Sequence, residues 1–186
     1  MSSFGAVLDT CVLIPARIRD TLLLSAEVGL YRASWSPHII EELHRNLVEH
    51  NLCSEEKAER LIGQMCEFFP EAMAEGYETL IPSMPVNPKD RHVLAAAVAS
   101  HSEIIVTENL RDFPESLLQP FGVEAQSTDE FLTNLAGLDS NTMIEVLHRQ
   151  ARQLSKPPLD FNWLLGRFLD DCPNFYLAIN SCLRIR

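Results

Sequence analysis

The chain has 186 residues, 46% of them hydrophobic and 22% charged, with a net charge of −11. That length is enough for a sizeable core in one domain, or in one domain with an appended subdomain, and the composition excludes low-complexity and collagen-like chains. Apolar runs such as "HVLAAAVAS" fall short of the roughly 20 residues that span a bilayer, and the N-terminus lacks the basic-then-apolar pattern of a secretory leader.

Phe4–Leu8 reads as a short buried strand, followed by a loop and a helix over Thr21–Val28. Leu30–Trp35 reads as a second strand. In "WSPHIIEELHRNL", Ser36 takes the N-cap and Pro37 the first helical position, and Ile39, Leu43 and Leu47 form an apolar stripe. Ser54 caps a further helix with Leu61, Met65 and either Phe68 or Phe69 turned inward; Pro70 ends it. The stretch Glu71–Met84 is expected to hold a short helix and a strand. In "NPKDRHVLAAAVASH", Asn87 caps and Pro88 opens an alanine-rich helix, and "EIIVT" is a buried strand. "RDFPESLLQPFG" is a short helix, "VEAQS" a strand, and "TDEFLTNLAG" a helix closed by Gly137.

Strands alternating with helices predict an α/β fold: a three-layer sandwich with a short central parallel sheet. From Asp139 the chain reads as wholly helical, through "NTMIEVLHRQARQL" and, after the Pro157-Pro158 break, "DFNWLLGRFLDDC". The expected organisation is therefore a body over 1–137 and a helical C-terminal extension over 138–186.

Five cysteines (Cys11, Cys53, Cys66, Cys172 and Cys182) are odd in number and lack CxxC spacing, which argues against a disulfide framework and for a reducing cytoplasm. Residues 1–135 carry 9 Lys/Arg against 21 Asp/Glu, whereas 136–186 carry 6 against 5. An acidic body of this kind handles nucleic acid only through local basic spots or through metal ions that offset its carboxylates.

In a parallel α/β sheet, ligands collect beyond the carboxyl ends of the strands. Asp9 ends the first strand and either points there or caps the next helix. Glu42 flanks the buried stripe of its helix or lies on its solvated face. Asp90 falls in the first turn of the alanine-rich helix, where the helix dipole favours a charged carboxylate. Asp112 either caps the helix near Pro114 or faces the same edge, to which Thr107 and Asn109 add neutral oxygens. Four acids brought together raise one another's pKa unless cations compensate. Hard divalent ions, Mg²⁺ or Mn²⁺, suit an all-oxygen set, and the six histidines show no paired zinc spacing.

The ordered set "VLDTCVLIP", "WSPHIIEELHRNL", "NPKDRHVLAAAV" and "IIVTENLRDFP" resembles the PIN-domain ribonucleases, including the VapC-type toxins of bacterial toxin–antitoxin pairs. The "T-x-N-x-x-D-F-P" ending is similar to one bacterial branch that carries a helical C-terminal extension. The resemblance implies that Asp9, Glu42, Asp90 and Asp112 form an acidic Mg²⁺ or Mn²⁺ site supported by Thr107 and Asn109. It implies an endoribonuclease whose products carry 5′-phosphate and 3′-hydroxyl ends. Partners implied are an RNA substrate, a small DNA-binding antitoxin and a second copy of the chain. Many members carry an acid where this chain has Asn109. Cations near the acidic mouth (Arg17, Arg19, Lys89, Arg91 and Arg111) are the candidate RNA contacts, and Arg149, Arg152, Lys156 and Arg167 make the tail more basic.

Two rival readings remain at this point. A haloacid-dehalogenase-like phosphohydrolase also begins with an Asp after a buried strand, but it wants a second acid where this chain has Cys11. The other is a non-catalytic RNA- or protein-binding module whose acids serve as caps.

Overall fold

The computed structural model describes residues 4–153 and 160–184; Lys156 and the Pro157-Pro158 break lie outside them. The described chain groups into two compact units. One runs to Ala16 and resumes over Tyr31–Gln126; the other comprises Arg17–Leu30 and the residues from Ser127 onward. No helix among the described residues is long and apolar enough to cross a membrane.

The first unit is built on a four-stranded parallel sheet: β1 (Gly5–Leu8), β2 (Arg32–Ser34), β3 (Ile104–Val106) and β4 (Glu124–Gln126), in the order β2-β1-β3-β4. Central parallel strands are covered on both faces and so read as unbroken apolar runs. Every residue of β1 and β3 is buried, while the edge strands "RAS" and "EAQ" each begin with an exposed charged residue. Pairing sets Val7 against Ser34, Leu8 against Val106, and Val106 against Gln126. β1, β3 and β4 therefore end level, with β2 one residue short of them, and the residues that follow share one edge.

Helices flank this sheet. A single turn, α1 (Thr10–Leu13), follows β1 directly and is capped by Asp9. Next in the chain, α2 (Ala16–Glu27) starts five residues before the expected Thr21, and all but its first residue belongs to the second unit. In α3 (Pro37–Glu49) the cap reads as expected: Ser36 accepts from the Ile39 amide at 3.3 Å, and Ile39, Ile40, Leu43 and Leu47 are buried. In α4 (Glu55–Phe68), Met65 is buried but Phe68 is 73% exposed. Phe69, just past the helix end, packs edge-on against Trp35 at 5.9 Å.

Two expectations fail here for backbone reasons. Between Glu71 and Met84 there is an isolated parallel bridge, Trp35 to Met73, and two 3₁₀ turns, Tyr77–Thr79 and Ile81–Ser83, in place of a helix and a strand. Gly76, at φ +71°, turns the chain, and Pro82 cannot continue a ladder. The alanine-rich helix α5 (Arg91–Ala99) begins only at Arg91, because Asn87–Asp90 closes as a separate turn in which the Asp90 amide donates to the Asn87 carbonyl at 2.8 Å. Its buried Ala95, Ala96 and Ala97 allow close approach to β1 and β3. After β3 a 3₁₀ turn (Leu110–Asp112) leads to α6 (Glu115–Leu118).

The second unit is helical: most of α2 with α7 (Thr128–Leu138), α8 (Ser140–Gln153), α9 (Phe161–Gly166), α10 (Phe168–Asp171) and α11 (Pro173–Arg184). The α7 helix runs through Gly137 instead of closing there; Asp139 ends it and accepts from the amide and hydroxyl of Thr142. Buried Gln150 joins α8 to α2, accepting from Thr21 Oγ1 and donating to the Arg17 carbonyl, both at 2.8 Å. Asp129 of α7 caps α11 by accepting from the amides of Asn174 and Phe175.

Gly5 illustrates how tightly the sheet is made. A methyl group there would meet Ser102 Oγ at 2.9 Å and the Ser102 Cα at 3.0 Å. Since backbone cannot swing aside, Gly5→Ala is expected to destabilise the protein by roughly 1–3 kcal/mol. Urea unfolding followed by circular dichroism measures it.

Candidate metal centre

The site forms where β1 and β3 end. The Asp9 amide donates to the Val106 carbonyl at 3.1 Å, and the Thr107 amide to the Gln126 carbonyl at 2.9 Å, so the two residues stand side by side. Thr107 Oγ1 donates to Asp9 Oδ2 at 2.6 Å and itself accepts from the Asn109 amide at 3.1 Å. Asp9 Oδ1 accepts from the Thr10 amide at 2.7 Å. Cys11 Sγ also reaches Asp9 Oδ2, at 3.3 Å. Burial, then the Asp9 charge, pushes the Cys11 thiol up to about 12, so it stays protonated and acts as a donor. Asp9 thus both caps α1 and belongs to the acidic edge; the two readings of its sequence position are compatible.

Glu42 projects from α3. Its Oε2 accepts from Thr10 Oγ1 at 2.9 Å, and its Oε1 lies 3.5 Å from His92 Nε2. The His92 imidazole first, then Thr10 and Arg45, hold the Glu42 carboxyl below the ordinary range against partial burial, which raises it. The chain of contacts continues outward: the rings of His92 and His38 lie 5.4 Å apart, and His38 Nδ1 is 2.6 Å from the Tyr77 hydroxyl.

Asp90 stands at the head of α5 with its side chain 14% exposed. Its Oδ2 is buried and has no hydrogen-bond partner. Burial raises its carboxyl pKa; Lys89 opposes this, and the charges of Asp112 and Asp9 add to it. The charges of Asp9 and Asp112 thus both reach Asp90. Lys89 Nζ sits among them, 2.9 Å from Asp112 Oδ2 and 3.7 Å from Asp90 Oδ2.

The remaining candidates are placed differently. The side chain of Asn109 is exposed, and its backbone carbonyl accepts from the Asp112 amide. Arg111 is exposed, and Arg91 Nε donates to the Val86 carbonyl at 3.3 Å. Arg17 and Arg19 belong to the second unit. There Arg17 pairs with Asp171, donates to the Arg167 carbonyl and lies 4.7 Å over the Phe168 ring, while Arg19 is buried beside Asp20. Sequence reasoning passed over Thr10 and His92, although each directly adjoins or nearly adjoins a candidate acid in the chain.

The donor set fits a hard divalent cation. It consists of carboxylate and hydroxyl oxygens, and a buried carboxylate oxygen without a partner is costly unless a cation or water meets it. The cup is open: among the described residues, no three of its acids bring ligand atoms within 4.8 Å of one another, as a ring nitrogen of His44 and carboxylate oxygens of Glu55 and Glu59 on α3 and α4 do. An open arrangement suits Mg²⁺, which keeps several of its waters.

The PIN domain family model matches residues 5–111, and a model described as the VapC50 C-terminal domain matches residues 128–179. A curated relative from Mycobacterium tuberculosis, named "Putative ribonuclease VapC50", is 38% identical over 104 residues, which is 56% of this chain and 62% of the relative. The chain thus spans less than two thirds of that relative's length. No solved structure matches it.

Replacing His92 should release Glu42. In His92→Leu the Glu42 carboxyl is expected to titrate closer to its ordinary value, read by carboxyl-carbon NMR. The depressed value stabilises the fold above the unfolded-state pKa, and that contribution fades as pH falls through the folded-state pKa. The variant should therefore lose stability at neutral pH and depend less on pH on the acid side.

Proposed function

The chain belongs to the PIN-domain family, and from that premise we propose that it is a Mg²⁺- or Mn²⁺-dependent endoribonuclease, the toxin of a toxin–antitoxin pair. The observation that carries this reading is the buried Oδ2 of Asp90, which no hydrogen bond meets, facing the charges of Asp9 and Asp112. The relative's printed name, a ribonuclease, agrees with it.

In this reading Asp9 and Asp90 hold the ion, and Glu42 and Asp112 complete the set directly or through water. Bound there, the ion neutralises charge on the scissile phosphate and lowers the pKa of a water. Thr107 and the Cys11 thiol keep Asp9 oriented by donating to Oδ2. Thr10 and His92 do the same for the two oxygens of Glu42. Neither Cys11 nor His92 is assigned proton transfer to substrate. Lys89, beside the cup, and Arg91 and Arg111, next in the chain to Asp90 and Asp112, are the candidate cations for RNA phosphate, and Arg17 and Arg19 are engaged inside the second unit. A small DNA-binding antitoxin, a homodimeric assembly and a cytoplasmic setting complete the proposal, with the nuclease body over 1–137 and the helical extension over 138–186.

Asp9→Asn and Asp90→Asn should each lower Mg²⁺-dependent cleavage of RNA by about a hundredfold or more. Retained cleavage in both variants sinks the metal reading, and wild-type protein inert toward RNA with either ion favours a binding module. Asp90→Asn also has a signature without substrate. A carboxyl whose pKa is raised on folding costs stability once it ionises, so this variant should melt higher than wild type in the absence of metal. Mg²⁺ should then raise the melting temperature of wild type and leave that of Asp90→Asn unchanged.

A further inference from the structure

Neighbouring residues on a regular helix point about a third of a turn apart and do not face each other. Lys89 and Asp90 nevertheless present both side chains to the same cup, because α5 starts only at Arg91. The preceding turn, with the Lys89 amide 3.3 Å from Asn87 Oδ1 and the Asp90 amide 2.8 Å from the Asn87 carbonyl, sets their directions. The Lys89 ammonium lies 2.9 Å from Asp112 Oδ2 and 3.7 Å from Asp90 Oδ2. Its contact with the second oxygen is an ion pair without a hydrogen bond.

We propose that Lys89 is the resting counter-ion of the cup: its ammonium occupies the cation seat between Asp90 and Asp112, and a divalent ion must expel it on entering. The inference rests on the metal reading above. A Mg²⁺ ion sits about 2.1 Å from its oxygen ligands, so it and the ammonium cannot both lie between the same two carboxylates. The exchange is sterically open, since the Lys89 side chain is 61% exposed and its long stem can swing into solvent. Lys89 then does two things: it limits repulsion among the acids before the ion arrives, and it sets a threshold of ion concentration for loading the site. Arg91, the next cation along, is tied to the Val86 carbonyl and does not share this seat.

The chain has three lysines, Lys57, Lys89 and Lys156, so reductive methylation with ¹³C-formaldehyde, which preserves their charge, yields a simple spectrum. On titration with Mg²⁺ the Lys89 signal, assigned with Lys89→Met, should shift in step with the binding heat while the Lys57 signal stays put. Unmethylated Lys89→Met should bind Mg²⁺ about fivefold more tightly than wild type, because the ion no longer has to break an ammonium–carboxylate pair of unit charges near 4 Å at high dielectric. Binding heat with an unmoved Lys89 signal, or unchanged affinity in Lys89→Met, overturns the counter-ion role alone. Absence of any Mg²⁺ heat in wild type overturns both it and the metal reading.

Discussion

Repulsion among Asp9, Asp90 and Asp112 is the constraint that the first unit is arranged to withstand. A group of carboxylates at one sheet edge persists only if each is held by bonds stronger than the urge to separate, or is met by positive charge. Asp9 has the first remedy: the Thr10 amide, the Thr107 hydroxyl and the Cys11 thiol all donate to it. Asp112 has the second, through Lys89. Asp90 has neither in full; one oxygen remains buried without a hydrogen bond, with Lys89 no nearer than 3.7 Å. That residue carries the unrelieved cost, and a functional site is where such a cost is tolerated.

The sheet makes this arrangement possible. Parallel pairing without stagger brings the ends of β1 and β3 together, so that Asp9 and Thr107, 98 positions apart, form a hydrogen bond. The alanines of α5 let that helix approach β1 and β3, which brings Asp90 to the same edge. Glu42 joins from α3 through Thr10 and His92, and each of these follows a candidate acid by one or two residues. Short stretches of chain thus supply both a charge and the group that steadies a neighbouring charge.

Much of this was legible in the chain. The buried runs "GAVL" and "IIV", the Ser36-Pro37 start of α3 and the alternation of strands with helices are local signals, and the four parallel strands and flanking helices follow them. Misreadings cluster where a local signal has two physical outcomes. Asn87-Pro88 can open a helix or close a turn, and the turn formed. Gly137 can end a helix, but α7 runs on to Leu138, and Asp139 leaves the helical conformation and accepts from Thr142 at the start of α8. Phe68 and Phe69 are equally apolar, and only the position of Trp35 makes Phe69 the packed one.

Residue types and their local order were determined by the sequence alone: which segments are apolar on both faces, where helices are capped, and that acids follow strands β1 and β3 closely. Only the tertiary structure decided how those acids are served. Strand register chose Thr107 as the partner of Asp9, the late start of α5 aimed Lys89 and Asp90 the same way, and packing of α3 set Glu42 against His92. It also grouped most of α2 with the C-terminal helices through Gln150, a contact with no trace in local pattern. The physical reason is common to all of these. Caps and hydrophobic periodicity act over a few residues and can be read along the chain, whereas hydrogen bonds and charge pairing across a hundred residues exist only after the backbone has brought the partners within about 3 Å.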